Sequence, residues 1–327
     1  MKKLFWTFLS VSLLLACSDN TDGPNNVLND PPFQSLTDSI HQFPKNPDLY
    51  YRRGVLLYQN SQPAYAAQDL RQAWALQPRE EYALSMTTLL REKNADSAIV
   101  FIESALQKLP NSIALQVGLA RGYQNKNQPE KALAIVDKII TDYPNQLDAL
   151  VLKSELLQAQ GKTKEALTAL ETAYGYAPFD ASLGYELAYQ YAEAGNPKAL
   201  QLTDALIKAD QTEKVAQAHY IKGVYYDKAG AESEAVKSYD EAIRANYNFM
   251  DAYRDKGILY YNQKKYSEAL KTFQLALTIS PAVAEFHYWI GKTEQARGNK
   301  QEAKLAYLRA YGLDKSITEA KDAADKL

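Results

Sequence analysis

The sequence predicts an all-α protein built from a tandem array of helix pairs. Apolar residues recur at helical spacing, and no segment shows the sustained alternation of a strand. Prolines that would end a helix recur at Pro78, Pro110, Pro144, Pro178 and Pro281. One small residue per unit recurs at steps of 32 to 36 residues, at Ala66, Ala98, Ala132, Ala166, Ala199, Ala235, Ala269 and Ala303. A period near 34 is typical of stacked supersecondary units that share one core.

The first sixteen residues have the pattern of a signal peptide. Lys2 and Lys3 precede an apolar run over residues 4–16. A helix of that length reaches about 20 Å, which is too short for the roughly 30 Å hydrocarbon core of a bilayer. Cys17 follows as the only cysteine of the chain, which excludes a disulfide or a CxxC site within it.

The residues around Cys17 resemble the lipobox of bacterial lipoproteins. The stretch "LLAC" at residues 14–17 carries the resemblance, which implies cleavage before Cys17 and acylation of that residue. Two or more acyl chains hold a protein stably on a membrane. We therefore expect residues 1–16 to be a signal peptide and Cys17 to be the lipidation site.

Residues 17–32 predict a flexible tether, because they are rich in Asn, Asp and Pro and poor in apolar residues. Removal of Lys2 and Lys3 leaves 35 basic residues against 39 acidic ones, a net charge of −4. The chain has no long block of like charge, which argues against nucleic-acid binding and against a polybasic membrane patch.

The rest of the chain divides into an array and two ends. Residues 33–46 predict an N-terminal capping helix, and residues 47–315 predict eight repeats. Residues 316–327 predict a C-terminal capping helix, in which Ile317, Ala320, Ala324 and Leu327 share one face. Capping helices are expected because a terminal repeat otherwise exposes its stacking face.

The array resembles the tetratricopeptide repeat (TPR) family. The signature spacing is clearest at Tyr253, Gly257, Tyr260, Ala269, Phe273, Ala276 and Pro281, with Lys256 in place of the usual leucine. The resemblance implies an α-solenoid, a right-handed superhelix of helix-turn-helix repeats. It also implies that the first helices of the repeats line a concave surface where partner polypeptides bind.

The chain contains 24 tyrosines, more than the repeat template explains as packing residues. Tyrosine and arginine are enriched at binding hot spots, because they combine a large contact area with a polar group. The alternative is that these tyrosines fill gaps between first helices. We predict partner-binding residues on the concave rows at Tyr51, Tyr58, Arg121, Tyr185, Tyr189, Tyr220, Arg254, Tyr261 and Tyr288.

No motif in the sequence indicates catalysis, a metal site or a cofactor. The GKT triplets at residues 161–163 and 291–293 lack the glycine that a phosphate loop needs five residues earlier, so we expect no nucleotide binding. His219 and His287 occupy bulky core positions of the repeat, and His41 has no ligand cluster near it.

These observations predict a non-enzymatic, lipid-anchored adaptor of the bacterial cell envelope that binds envelope proteins. Ser18 is not the aspartate associated with inner-membrane retention, so the outer membrane is favoured. Whether the array faces the periplasm or the cell surface stays open. The alternative function is a glycan- or peptidoglycan-binding lipoprotein, because tyrosines also stack on sugar faces.

Overall fold

The computed structural model describes residues 27–209 and 215–327, and every regular element within these ranges is helical. The prediction of an all-α protein is confirmed. The predicted signal peptide, Cys17 and most of the predicted tether lie outside the described residues. The helices form two compact units that divide between Lys126 and Asn127.

The first unit contains a short 3-10 helix, Val27–Asn29, and six α-helices. These helices are α1 Gln34–Gln42, α2 Pro47–Gln59, α3 Pro63–Leu76, α4 Glu80–Lys93, α5 Ala95–Lys108 and α6 Ile113–Asn125. Consecutive helices pack against one another throughout this unit.

The second unit contains twelve helices in its described residues. They are α7 Pro129–Asp142, α8 Leu147–Ala159, α9 Thr163–Tyr176, α10 Ala181–Glu193, α11 Lys198–Ala209, α12 Val215–Lys228, α13 Glu232–Ala245, α14 Met250–Asn262, α15 Tyr266–Ile279, α16 Ala284–Ala296, α17 Lys300–Leu313 and α18 Thr318–Asp325. In the numbering of the predicted repeats, the fourth is α8 with α9, the fifth is α10 with α11, and the sixth is α12 with α13.

Short polar side chains and prolines set the helix starts. The side chain of Asn94 accepts a hydrogen bond from the Asp96 amide at 2.8 Å, and Asp180 accepts one from the Ser182 amide at 2.9 Å. These acceptors satisfy amides that have no partner within the helix. Prolines, which need no such partner, begin α2, α3 and α7 at Pro47, Pro63 and Pro129.

Close approach of the paired helices explains the recurring small residues. The eight alanines that defined the period are all buried. A Cβ atom on Gly257 of α14 would lie 2.2 Å from the ring of Phe273 in α15, and one on Gly223 of α12 would lie 2.4 Å from the ring of Tyr239 in α13. Only glycine leaves room for an aromatic ring at these positions. The small residues thus allow the paired helices to pack closely.

Lysines that depart from the repeat pattern form ion pairs between neighbouring repeats. Lys256 Nζ lies 2.5 Å from Asp240 Oδ1, so it joins α14 to α13 of the preceding repeat. The equivalent pairs are Lys153 with Asp137 and Lys222 with Asp204. Partly exposed pairs of this kind contribute up to about 1 kcal/mol each. The lysine stem covers apolar surface that the usual leucine would cover.

The N-terminal end of the first unit is more ordered than a tether. Val27 and Leu28 pack on a cluster that contains the buried Phe33, and Thr37 Oγ1 donates to the Leu28 carbonyl at 2.6 Å. The prediction of a flexible tether is therefore wrong for residues 27–29. The apolar contacts of Val27 and Leu28 oppose the loss of chain entropy in this segment.

A buried arginine ties the first three helices together. Arg53 of α2 donates from Nε and Nη2 to the two carboxylate oxygens of Asp69 in α3, at 2.6 and 2.8 Å. Its third nitrogen donates to Thr37 of α1 at 2.9 Å. All three side chains are buried. The capping helix α1 is therefore joined to the array by hydrogen bonds as well as by apolar contact.

The last helix covers the other end of the array. Ala320 and Ala324 of α18 are buried against Tyr307 and Ala310 of α17, and Ile317 and Leu327 are partly buried beside them. The four residues predicted to share a face all lie on this packed side. Helix α18 thus covers the face of the last repeat that would otherwise be exposed to solvent.

Candidate functional site

Two of the predicted binding tyrosines are buried. Tyr185 of α10 is 3% exposed and Tyr220 of α12 is 7% exposed, so the prediction that they are exposed on a concave surface is wrong. The reason is that α10 and α12 pack directly against each other. Both tyrosines belong to the buried core of the second unit, and the ring of Tyr220 lies near that of Tyr189 across the α10–α12 contact. Their burial favours the alternative that the sequence left open.

The ring of Tyr220 lies at the centre of an aromatic cluster. Its centroid is 6.5 Å from that of Tyr189, 6.0 Å from that of Tyr239 and 5.2 Å from that of Phe249. Burial raises the pKa of the Tyr220 and Tyr239 hydroxyls. Both tyrosines are therefore neutral packing residues across the physiological pH range.

Arg254 is held by acidic side chains and the Tyr220 hydroxyl. Tyr220 donates to Asp255 Oδ2 at 2.6 Å, and Arg254 Nε donates to Asp255 Oδ1 at 2.7 Å. A further guanidinium nitrogen pairs with Asp251. The half-buried Tyr189 and Arg254 line a small cavity of about 270 Å³. The predicted arginine is thus already neutralised by its own chain.

Tyr261 and Tyr288 lie in a separate aromatic group around Trp289. The ring centroids of Tyr261 and Tyr288 are 5.6 and 6.0 Å from that of Trp289. Lys292 Nζ lies 4.3 Å from the Trp289 centroid and 5.6 Å from each tyrosine ring. A cation above three aromatic rings is a favourable arrangement. The lysine already occupies the face of these rings.

The remaining predicted residues belong to the first unit and are half-buried. Tyr51 packs on Tyr82, with ring centroids 4.8 Å apart, and Tyr58 donates a hydrogen bond to Glu92. Arg121 of α6 is also half-buried. None of the nine residues is fully exposed. Their roles in partner binding stay a prediction.

A groove between α8 and α10 in the second unit has a volume of about 760 Å³. Helix α8 contributes Leu147, Val151, Ser154 and Gln158, which follow one another at helical spacing and therefore share one face. Leu183 of α10 and Leu170 of α9 complete the apolar floor. We call this feature the α8–α10 groove.

The rim of the α8–α10 groove is acidic. Asp148 and Glu155 lie along α8, while Asp180 and Glu186 lie along α10. No lysine or arginine lines it. Two other grooves on the described chain carry both signs of charge, with Lys153 opposite Asp137 in one and Arg71 beside Glu92 in the other. A negative rim around an apolar floor therefore distinguishes this groove from those two.

One wall of the α8–α10 groove carries a polar atom without a partner. The side-chain oxygen of Gln158 is buried and accepts no hydrogen bond within the described structure. A buried acceptor in this state costs roughly 1–3 kcal/mol relative to a satisfied one. A donor brought by a bound molecule would remove that cost.

Sequence reasoning missed the α8–α10 groove because it searched for large side chains. Val151, Tyr185 and Tyr220 occupy the same position in the fourth, fifth and sixth repeats. The valine and the nearby Ser154 are too small to fill the space between first helices, so a groove remains. The available signal in the sequence was that the fourth repeat has a valine, Val151, where the fifth and sixth repeats have a tyrosine.

The described residues show no arrangement that indicates chemistry or membrane insertion. They contain no group of three or more His, Cys, Asp or Glu side chains suited to a metal ion. Burial lowers the pKa of both His219 and His287, and His287 Nε2 lies 3.1 Å from the Pro281 carbonyl oxygen. No helix in the described ranges has the length and hydropathy needed to cross a bilayer.

The helix pairs and the groove together define a helical-repeat scaffold. Family models of the tetratricopeptide repeat match residues 89–156, 185–246, 233–284 and 284–317, which is more than half of the chain. The chain belongs to the tetratricopeptide repeat family. The predicted resemblance to that family is confirmed.

Curated relatives match only parts of the chain. Human Superkiller complex protein 3 is 27% identical over 122 residues, which cover 36% of this chain and 8% of that protein. Human Tetratricopeptide repeat protein 6 is 28% identical over 191 residues, which cover 57% of this chain and 36% of that protein. The chain thus spans a minor part of the length of these relatives.

Solved structures share the fold at low sequence identity. A tetratricopeptide repeat protein from Parabacteroides merdae has a TM-score of 0.60 and 19% identity, over 75% of this chain and 97% of its own. PilW, a type IV pilus biogenesis factor, has a TM-score of 0.51 and 16% identity, over 64% of this chain and 97% of its own. The similarity supports an all-α TPR solenoid.

Proposed function

We propose that this protein is a lipid-anchored adaptor of the bacterial cell envelope that binds a partner polypeptide in the α8–α10 groove. Tetratricopeptide repeats serve as scaffolds for protein–protein interaction. The α8–α10 groove carries the proposal, because it combines an apolar floor with polar groups along its rim. Binding sites are commonly concave and apolar with a few polar groups that fix orientation.

The proposed adaptor acts by holding a binding surface in a fixed geometry rather than by catalysing a reaction. Paired helices with tightly packed small residues hold the groove walls in a fixed geometry, which lowers the entropy cost of binding. The tyrosines that supported a glycan-binding alternative are packed against other side chains. The main observation in favour of glycan binding therefore no longer supports it. A polypeptide partner is therefore favoured.

The anchor is supported by the apolar run that ends at Cys17 and by the position of the only cysteine. We expect Cys17→Ser to move the protein from the membrane fraction to the soluble fraction and to abolish incorporation of labelled palmitate. Cell fractionation and metabolic labelling measure both effects. Retention of the substituted protein in membranes, at the level of the native protein, would contradict the anchor.

The partner site is tested by photo-crosslinking in native membranes. A photoreactive amino acid at Val151, inside the α8–α10 groove, is compared with one at Lys164, an exposed position on α9. We expect a discrete crosslinked protein from position 151 and none at that mass from position 164. Equal crosslinking from both positions, or none from position 151, would contradict the proposed site.

A further inference from the structure

The α8–α10 groove has the charge and the apolar surface of a site for one class of polypeptide. Asp148, Asp180 and Glu186 lie on its rim, and its floor is formed by leucine and valine side chains. Asp148 is exposed in the first turn of α8 and has no cationic partner within the described structure. A partner with positive side chains would therefore find carboxylates above an apolar surface.

The carboxylates of Asp180 and Glu186 use only part of their capacity to accept hydrogen bonds. Asp180 accepts from the Ser182 and Leu183 amides through Oδ1, and its second oxygen accepts no hydrogen bond within the described structure. Glu186 accepts a single hydrogen bond, from the Gln190 side chain at 3.1 Å. Lysine and arginine supply several donors each and no acceptor. The buried Gln158 oxygen is one further acceptor in the same wall.

We infer that the α8–α10 groove binds a basic, amphipathic segment of a partner protein. The inference rests on the proposed function and names the chemistry of the partner. Apolar residues of the segment contact Leu147, Val151 and Leu183, while lysine or arginine side chains flank them and pair with the rim carboxylates. Residues 147–158 of α8 extend over about 17 Å, so the segment contacts the groove through about three helical turns or five extended residues.

The test uses three synthetic peptides and the full chain. The first peptide carries leucines at helical spacing with flanking lysines, the second has glutamate in place of each lysine, and the third has serine in place of each leucine. Fluorescence anisotropy measures their dissociation constants. We expect measurable binding of the first peptide alone, because both the apolar contacts and the charge pairing are required.

Charge reversal in the groove is compared with charge reversal elsewhere. Asp148→Lys with Glu186→Lys should weaken binding of the lysine peptide about tenfold or more and should create binding of the glutamate peptide. Glu285→Lys with Glu302→Lys changes the net charge equally at exposed sites on α16 and α17, and should change binding less than about twofold. Melting curves of both double variants verify that they are folded.

Three results would overturn the inference. They are equal loss of binding in the two double variants, binding of the serine peptide as tight as that of the leucine peptide, and binding of the glutamate peptide by the native protein. The photo-crosslink at Val151 separates this inference from the proposed function. A crosslinked native segment that is acidic or uncharged would refute the basic partner and leave the groove as the binding site.

Discussion

The same repeat position lies in two different environments in the second unit. One is the gap between α8 and α10, and the other is the contact between α10 and α12. At α10 and α12 that position holds Tyr185 and Tyr220, which are both buried, and the two helices pack directly against each other. At α8 it holds Val151, and the space remains as a groove of about 760 Å³. A buried aromatic residue where two first helices pack closely therefore belongs to the core, whereas a small residue where they do not pack closely leaves a candidate binding surface.

The comparison changes how tyrosine should be interpreted in such an array. An aromatic residue supplies contact area to a partner only where the neighbouring helix leaves its face open. The ring of Tyr220 is already covered by Tyr189, Tyr239 and Phe249, and its hydroxyl donates to Asp255 of α14. Binding capacity is therefore expected where the side chains are small.

The largest expected effect comes from removing the buried ring of Tyr220, which lies at the centre of the aromatic cluster. Tyr220→Ala should lower the free energy of unfolding by about 3–5 kcal/mol, because it empties a buried site between two helices. Val151→Ala, at the matching position in the groove, should cost about 1 kcal/mol or less. Chemical denaturation measures both values. Similar losses in the two variants would show that the two regions do not differ in packing.

A smaller effect is expected where a methyl group is added under a ring. Gly223→Ala places Cβ 2.4 Å from the buried Tyr239 ring, and overpacking of this kind costs about 1–3 kcal/mol. Improved helix propensity returns up to about 1 kcal/mol, so we expect a net loss of about 1–2 kcal/mol.

The control for that substitution is a glycine of α9. Gly175 of α9 has no atom within 4 Å of an added Cβ, and its backbone is helical. Gly175→Ala should therefore raise the stability slightly, by up to about 0.5 kcal/mol. Opposite signs for the two glycines in thermal denaturation would support the close packing at α12. A neutral Gly223→Ala would count against it.

Tyr220→Phe isolates the hydroxyl from the ring. The ring contacts remain, but Asp255 loses the hydrogen bond of 2.6 Å. Because Asp255 keeps its pairing with Arg254, we expect a loss of only about 1 kcal/mol in urea denaturation. A loss as large as that of Tyr220→Ala would mean that the hydrogen bond to Asp255, and not the packing of the ring, supplies most of the stabilisation by Tyr220.

The smallest expected effect concerns acid stability on the packed side of α10. Hydrogen bonds from Tyr191 at 2.5 Å and Lys198 at 3.0 Å lower the pKa of Glu171 below its ordinary value of 4.5. A carboxylate with a lowered pKa stabilises the fold above that ordinary value, and the contribution is lost as the pH falls through the folded value. Glu171→Gln should therefore reduce the loss of melting temperature between pH 5 and pH 3.

Tyr191→Phe provides a second test of the same carboxylate. It removes the stronger hydrogen bond and should also reduce the dependence of the melting temperature on pH in the acid range. If the slope of melting temperature against pH is unchanged in both variants, Glu171 does not contribute to acid stability.

Sequence periodicity predicted the array well because the packing requirement repeats in every unit. The buried alanines, the glycines under aromatic rings and the helix ends all follow from local spacing and size. The site was predicted less well, since burial of Tyr185 and Tyr220 depends on how closely two non-consecutive helices approach. That distance is set by tertiary packing and has no local pattern. The position of Arg53, buried with Asp69 and Thr37, was missed for the same reason.

The central claim is that small side chains at α8 leave the groove open for a partner. Val151→Tyr tests it most directly, because it places in the groove the side chain that α10 and α12 carry at the same repeat position. The measurement is the affinity of the native protein and of this variant for the segment crosslinked at Val151, beside their melting curves. We predict a melting temperature within about 2 °C of the native value and binding weakened about tenfold or more. Unchanged affinity in a variant that melts like the native protein would contradict the account.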